Sequence, residues 1–257
     1  MGFRRLKYRL TNSIEVIEYR KARHGAPGMP RNEKRDTTPE AVARNNQRNR
    51  ERKCSRMVEK YFNEDDYVLT LTYRTEDRPK DMDECKKHLR EFFRKIKREY
   101  AKRFYDLLWI RNIEVGPRGA WHVHVIMNRV EGADFIIKEL WRKHGAVFFQ
   151  FYKDMRDKGE DLGKYMAKSP VSAPDKVTES SWSHSRNVQP VEPEAVEITG
   201  QSMNDRPRTP KGYYLDKGSY KDYTTDEGYR FREYVFRKLK PKRIDHRIRT
   251  KRKKVKR

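Results

Sequence analysis

Seven consecutive residues, Trp121-His122-Val123-His124-Val125-Ile126-Met127, constrain this chain more than any other stretch. Their composition is that of a β-strand, and side chains alternate across a strand. Trp121, Val123, Val125 and Met127 then face a core, while His122 and His124 stand together on the opposite face. A strand that buries one face so heavily needs strand neighbours and a covering layer. Two neutral imidazoles side by side on the remaining open face can share one divalent metal ion. The spacing alone does not separate such a pair from two incidental histidines.

The flanking segments supply the rest of a compact unit. Val68 to Tyr73 alternates, with Leu69, Leu71 and Tyr73 on one face and Thr70 and Thr72 on the other. Residues 81–104 carry Met82, Cys85, Leu89, Phe92, Phe93, Ile96, Tyr100 and Phe104 at helical spacing. Leu107 to Val115 and Trp121 to Met127 read as two strands joined by the hairpin loop Gly116-Pro117-Arg118-Gly119-Ala120. A helix over about 133–143 ends at Gly145, and Val147 to Phe151 reads as a further strand. This order predicts an α+β fold: an antiparallel central sheet with helices on one face.

Outside that unit the signals are weaker. The N-terminal part is basic and holds one strand-like segment, Ile14 to Tyr19, then a Gly/Pro-rich loop from Gly25 to Pro30. Thr38 and Pro39 mark the start of a helix running towards Phe62, Thr38 as its cap and Pro39 at its first position. Residues 169–210, with their prolines and polar residues, read as a long loop, and Tyr229 to Leu239 as a late strand. From Arg237 to Arg257 there are 13 Lys or Arg among 21 residues, so a disordered, DNA-attracted tail is expected. The whole chain has a formal net charge of +24 and a pI of about 10.0, which selects a polyanionic partner without fixing the activity. Cys54 and Cys85 form no C-x-x-C pair and suggest a reducing compartment. No segment resembles a signal peptide or a membrane span, so a soluble, cytoplasmic protein is expected.

Hairpin geometry offers a third ligand. With the loop closed at 116–120, Glu114 lies across from His122 on the histidine face. Two imidazoles and a carboxylate suit Mg²⁺ or Mn²⁺ when a phosphate completes the shell, with zinc as the competing choice. An ordinary surface ion pair of Glu114 with Arg111 or Arg118 is the alternative reading. Further along, Tyr165 and Lys168 stand at i and i+3 in Asp161-Leu162-Gly163-Lys164-Tyr165-Met166-Ala167-Lys168. A phenol becomes a competent nucleophile beside a metal-polarised phosphate, and a nearby ammonium offsets the charge that develops. Tyr165 could equally be one more packing residue among 15 tyrosines. Gly163-Lys164 lacks the spacing of a phosphate-binding loop.

Three motifs in order, Leu69-Thr70-Leu71-Thr72-Tyr73, His122-Val123-His124 and Tyr165-Met166-Ala167-Lys168, resemble those of rolling-circle replication initiators in the HUH endonuclease superfamily. The sequence looks closest to the replication-associated, gene II-like proteins of phages, plasmids and integrated elements of Gram-positive bacteria. Lys60-Tyr61-Phe62-Asn63 with Asp65-Asp66, and Ser183-His184-Ser185-Arg186-Asn187, share the likeness, which spans roughly residues 14–190. The resemblance implies a ferredoxin/RRM-like HUH fold over residues 58–190, with a basic extension at 1–57, a C-terminal extension at 191–239 and the basic tail at 240–257. It implies that His122, His124 and Glu114 hold Mg²⁺ or Mn²⁺ on a scissile phosphate of single-stranded origin DNA. Tyr165 then attacks, leaving a 5′-phosphotyrosine and a 3′-OH primer, with Lys168 offsetting charge. Thr70, Thr72, Lys164 and Arg186 are the expected DNA contacts, and Tyr152 is the alternative nucleophile. No helicase region is recognisable, so a host helicase and a DNA polymerase are the expected partners.

Two other readings share parts of this pattern. A plasmid-mobilisation relaxase or a single-strand transposase would use the same chemistry. A non-catalytic nucleic-acid-binding protein on a ferredoxin-like sheet would need exposed aromatics on the open face, where the sequence instead places Thr70, Thr72, Glu114, His122 and His124.

Overall fold

The structure, a computed structural model, describes residues 2–20, 38–157, 161–224 and 229–248. The expected loop from Gly25 to Pro30 and the tail beyond Ile248 lie outside them. In chain order the elements are β1 (Phe3–Arg9), β2 (Ser13–Arg20), α1 (Pro39–Tyr61), β3 (Tyr67–Thr72), α2 (Met82–Lys102), β4 (Trp109–Val115), β5 (Trp121–Met127) and α3 (Ala133–Trp141). There follow β6 (Val147–Phe151), α4 (Tyr152–Asp157), α5 (Leu162–Met166), β7 (Glu179–His184), β8 (Glu194–Ile198), α6 (Gly200–Asn204), β9 (Tyr213–Thr224) and β10 (Arg230–Lys238). The described residues form two compact units, one within 44–189 with 244–248, the other within 2–43 with 190–243.

The first unit is built on a five-stranded antiparallel sheet in the order β6-β3-β5-β4-β7. After α1 its elements run β3-α2-β4-β5-α3-β6, and that connectivity with this strand order is the ferredoxin-like βαββαβ arrangement. The α+β class expected from the pattern is therefore present. Alternation decides the faces. Leu69, Leu71, Val123, Val125 and Ile113 face α2 and α3 and pack with Leu89, Phe92, Ile96, Ile137 and Trp141. α2 forms where its apolar stripe requires, and its first turn is capped by Asp81, whose carboxylate accepts the Glu84 N–H at 2.8 Å.

The second face of that sheet is covered at one end only. Val68, Ile110 and Ile126 pack against Cys54, Met57 and Val58 of α1 and Leu162 and Met166 of α5. α1 begins as expected, with the Thr38 hydroxyl accepting the Ala41 N–H at 3.2 Å. Helices thus lie on both faces, and only the part of the second face around the histidines stays open. β7 was expected to be loop. Its sequence ESSWSH has a single large apolar residue, and it forms because β4 offers an unpaired edge. Residues 244–248, expected in the disordered tail, are held in this unit: Asn63 Oδ1 accepts the Ile244 N–H at 2.7 Å, and the Ile248 N–H reaches Phe104 O at 2.8 Å.

The other unit is a second five-stranded sheet, β8-β1-β2-β10-β9, antiparallel throughout. The expected extensions at 1–57 and 191–239 both contribute strands to it. β1 escapes sequence reading because FRRLKYR alternates cations with apolar residues and buries little. Its centre is an ionic knot. Glu18, fully buried, receives the Arg232 and Arg5 guanidiniums and the Tyr234 hydroxyl, the last at 3.2 Å. Arg232 also donates to the carbonyls of Met203 and Asp205, both at 2.8 Å, and of Ser202 at 3.1 Å. A buried ion pair needs such extra hydrogen bonds to offset desolvation.

Candidate active site

On the open face three strands lay the polar residues out in two rows. Thr70, His124 and Asn112 are direct cross-strand partners, and so are Thr72, His122 and Glu114. Partners across a ladder share a face, so the expected juxtaposition of Glu114 with the two histidines is realised. Trp141 and Gly145 fix the end of β3: the indole N–H donates to Thr72 O at 2.9 Å, and a Cβ on Gly145 would lie 2.1 Å from that oxygen. The Thr72 hydroxyl donates to Ala146 O at 3.3 Å.

α5 delivers the tyrosine. Asp161 caps it, accepting the Lys164 N–H at 3.2 Å and the Ser55 hydroxyl at 3.0 Å. α5 lies so close to α1 that a Cβ on Gly163 would sit 1.9 Å from Ser55 Oγ and 2.4 Å from Ser55 Cα. Gln47 of α1 fastens the far end, donating to Ala167 O at 2.8 Å while its Oε1 accepts the Ser169 hydroxyl at 2.7 Å. Held this way, the Tyr165 hydroxyl lies 2.7 Å from His124 Nδ1, with the rings edge to face at 4.7 Å. Thr70 Oγ1 is 3.2 Å from the same nitrogen. On the other side of the imidazole, Glu114 Oε2 is 3.6 Å from Nε2 and 3.4 Å from Lys168 Nζ. Lys168 follows the last turn of α5 rather than continuing it, and Asn112 holds its backbone by donating to Lys168 O at 2.8 Å.

Charge is unevenly distributed here. His124 and Glu114 are each 7% exposed. Burial works against the Glu114 carboxylate most strongly, but His124 and Lys168 together hold its carboxyl below the usual range. Partial burial and the neighbouring His124 hold the His122 imidazole below its ordinary value, so at neutral pH it is an uncharged donor of lone pairs. His124 Nδ1 shares a hydrogen bond with the Tyr165 hydroxyl, whose direction follows from which ring nitrogen carries the proton.

The donors match a divalent cation in kind: two imidazoles, a carboxylate and the Asn112 Oδ1, which is buried without a hydrogen-bond partner. The His122 and His124 ring centres stand 6.4 Å apart, and no three His, Cys, Asp or Glu side chains are gathered tightly enough to hold a metal among the described residues.

Not every expected contact meets this site. Thr70, Thr72, Glu114, His122, His124, Tyr165 and Lys168 come together. Lys164 is exposed on the side of α5 away from its buried residues. Arg186 lies two residues beyond His184, whose partner Ile110 is already about 14 Å along the strand from Glu114. Two residues went unremarked in the sequence. Asn112 carries the same alternation signal as Glu114. Phe148, directly across from Thr70 on β6, is 60% exposed on the same face, so this face does hold an aromatic platform.

The comparison with protein families decides the broader assignment. Residues 66–170 match the family of the replication-associated protein ORF2/G2P. The match covers the whole polar constellation from Thr70 to Lys168 and bears out the resemblance to gene II-like initiators. A replication-associated ORF2/G2P region belongs to DNA replication and implies contact with DNA. No curated protein and no solved structure matches the chain. Among the described residues, no helix is long and apolar enough to cross a membrane.

Proposed function

We propose that this protein nicks single-stranded origin DNA through Tyr165 and rejoins strands by the reverse step, as a rolling-circle replication initiator. The observation that carries the proposal is the 2.7 Å approach of the Tyr165 hydroxyl to His124 Nδ1, backed by Glu114 and Lys168. With its Nε2 kept for the cation, His124 carries its proton on Nδ1 and donates a hydrogen bond to the Tyr165 oxygen, which favours the phenolate, while the phenol proton passes through solvent to the departing 3′ oxygen. The phenolate oxygen attacks the scissile phosphorus, a P–O bond to tyrosine forms, and the bond to the 3′ oxygen breaks. Lys168 offsets charge on the phosphoryl oxygens. Bond energy is kept in the phosphotyrosine, so a later 3′-OH can reverse the step without another energy source. His122, His124 and Glu114 would hold Mg²⁺ or Mn²⁺, which when bound supplies Lewis-acid polarisation of the phosphate. Phe148 offers a stacking surface for a base of the strand, and Thr70 and Thr72 polar contacts to its backbone. A host helicase and a DNA polymerase complete the proposed cycle.

Labelled single-stranded DNA from the element's origin, incubated with Mn²⁺ or with EDTA, tests this. A protein-linked 5′ fragment that needs metal and vanishes in Tyr165→Phe is the expected result. Cleavage that persists in Tyr165→Phe would remove Tyr165 from the role and bring Tyr152 forward. Tight binding with no cleavage under any metal would overturn the nuclease reading.

A further inference from the structure

The second sheet carries a site that the nicking chemistry does not use. One face of β1, β2 and β10 forms the floor of a cleft of about 630 Å³ within this unit, and the segment from Ser202 to Pro210 forms its lip. The floor is apolar and aromatic, made by Ile14, Val16, Tyr234 and Phe236, with Tyr213 at one end. Its walls are mainly cationic, with Asp205 the one carboxylate among the lining residues. Arg5, Lys7 and Arg9 project into it from alternate positions of β1, so their cations repeat about every 6.8 Å along the strand. Arg206 and Arg208 face it from the lip and form no ion pair among the described residues. The lip is fastened down by the Arg232 guanidinium through the carbonyls of Ser202, Met203 and Asp205. Glu18 neutralises part of the charge of Arg5 and Arg232, and Glu194 pairs with Arg9, so Lys7, Arg206 and Arg208 are the cations left for a ligand.

We infer that this cleft binds the phosphodiester backbone of single-stranded DNA and is a second DNA-binding site of the chain. Three separate cations, Lys7 on β1 and Arg206 and Arg208 on the lip, suit successive phosphates better than one isolated anion. A positively charged groove with aromatic rings is the construction used for unpaired strands. The volume lies in the range of small-ligand sites, enough for a nucleotide or two and too small for a duplex. The inference does not rest on the nicking reading, because the cleft shares no residue with it.

The test is fluorescence anisotropy of the full chain with a labelled oligothymidine of about 12 nucleotides, in EDTA so that no strand is cut. The triple variant Lys7→Ala, Arg206→Ala, Arg208→Ala is compared with an equally discharged control, Lys87→Ala, Arg90→Ala, Arg94→Ala, whose residues lie on α2. Circular dichroism confirms that both are folded, and neither touches the Glu18 knot. Expected is a loss of affinity of at least about tenfold for the cleft variant. Its slope of log affinity against log salt should also fall by about 2, the value for three phosphate contacts on a single strand. The control should change by less than about threefold. Equal losses in the two variants, or no loss in either, would overturn the site. So would an equal loss for a duplex of the same length, or full displacement of the strand by millimolar thymidine monophosphate, which would mark a mononucleotide pocket instead.

Discussion

Gly163→Ala is the sharpest probe of how the nucleophile is held. In an ordinary helix this change is favourable by about 0.5–1 kcal/mol, because alanine loses less backbone freedom on folding. Here the new Cβ would lie 1.9 Å from Ser55 Oγ, 2.4 Å from Ser55 Cα and 2.5 Å from Ser55 N. Carbon atoms rest at about 3.5 Å, so α5 must back away from α1 by roughly 1 Å. Overpacking of that kind typically costs about 1–3 kcal/mol, which outweighs the helical gain. The displacement acts directly on Tyr165, whose hydroxyl now lies 2.7 Å from His124 Nδ1 and would pass beyond hydrogen-bonding range. A misplacement of about 1 Å can lower a rate about 100-fold. Urea unfolding should therefore show a loss of about 1–2 kcal/mol, and single-turnover formation of the protein–DNA adduct should slow by about two orders of magnitude. Adding Ser55→Gly should restore little, since the closest immovable atoms are backbone. A Gly163→Ala protein that is more stable and nicks at the normal rate would refute this account of α5.

Three further outcomes are expected. Phe148→Ala should weaken binding of an origin single strand by about 1–3 kcal/mol in an EDTA titration while leaving the melting temperature nearly unchanged, because the ring is exposed. Arg232→Met should destabilise the second unit by about 3 kcal/mol, seen as early proteolysis of that sheet, since it leaves the buried Glu18 carboxylate with Arg5 as its remaining cation and frees three carbonyls. His144 is the acid-sensitive point of the first unit. Burial, then His88 and Lys143, push its pKa down to about 4, so the unfolded chain binds the extra proton between that value and about 6.5. Stability should fall as pH drops through that window, and His144→Phe should flatten the dependence in urea midpoints measured at pH 5 and pH 7.

The face pattern of the first sheet was legible because alternation is a local property. Thr70, Thr72, Glu114, His122 and His124 could be placed on one side from their parity alone, given the hairpin at 116–120. Asn112 and Phe148 obey the same parity, but an amide and a phenylalanine on a strand carry no local mark of a site. What holds Tyr165 was not legible. Gln47 and Ser55 lie more than a hundred residues from the segments they fasten, and nothing in their own surroundings marks them. The second sheet was illegible for another reason. β1 spends every other position on a cation, which hides the apolar half of its period, and β8 and β10, which flank the β1–β2 pair, come from the far end of the chain.

The fastening of α5 by α1 bears on where a working piece of this protein can be cut. The family match begins at residue 66 and ends at residue 170, yet the cohesive unit runs from Arg44 to Gln189. A fragment trimmed to the match would keep every reactive group and discard α1 and β7. Leu162 and Met166 would then face water, Ala167 and Ser169 would lose their tether, and the edge of β4 would be bare. Chemistry and architecture thus have different borders in this chain: the matched segment carries the reagents, and the residues outside it set the aim.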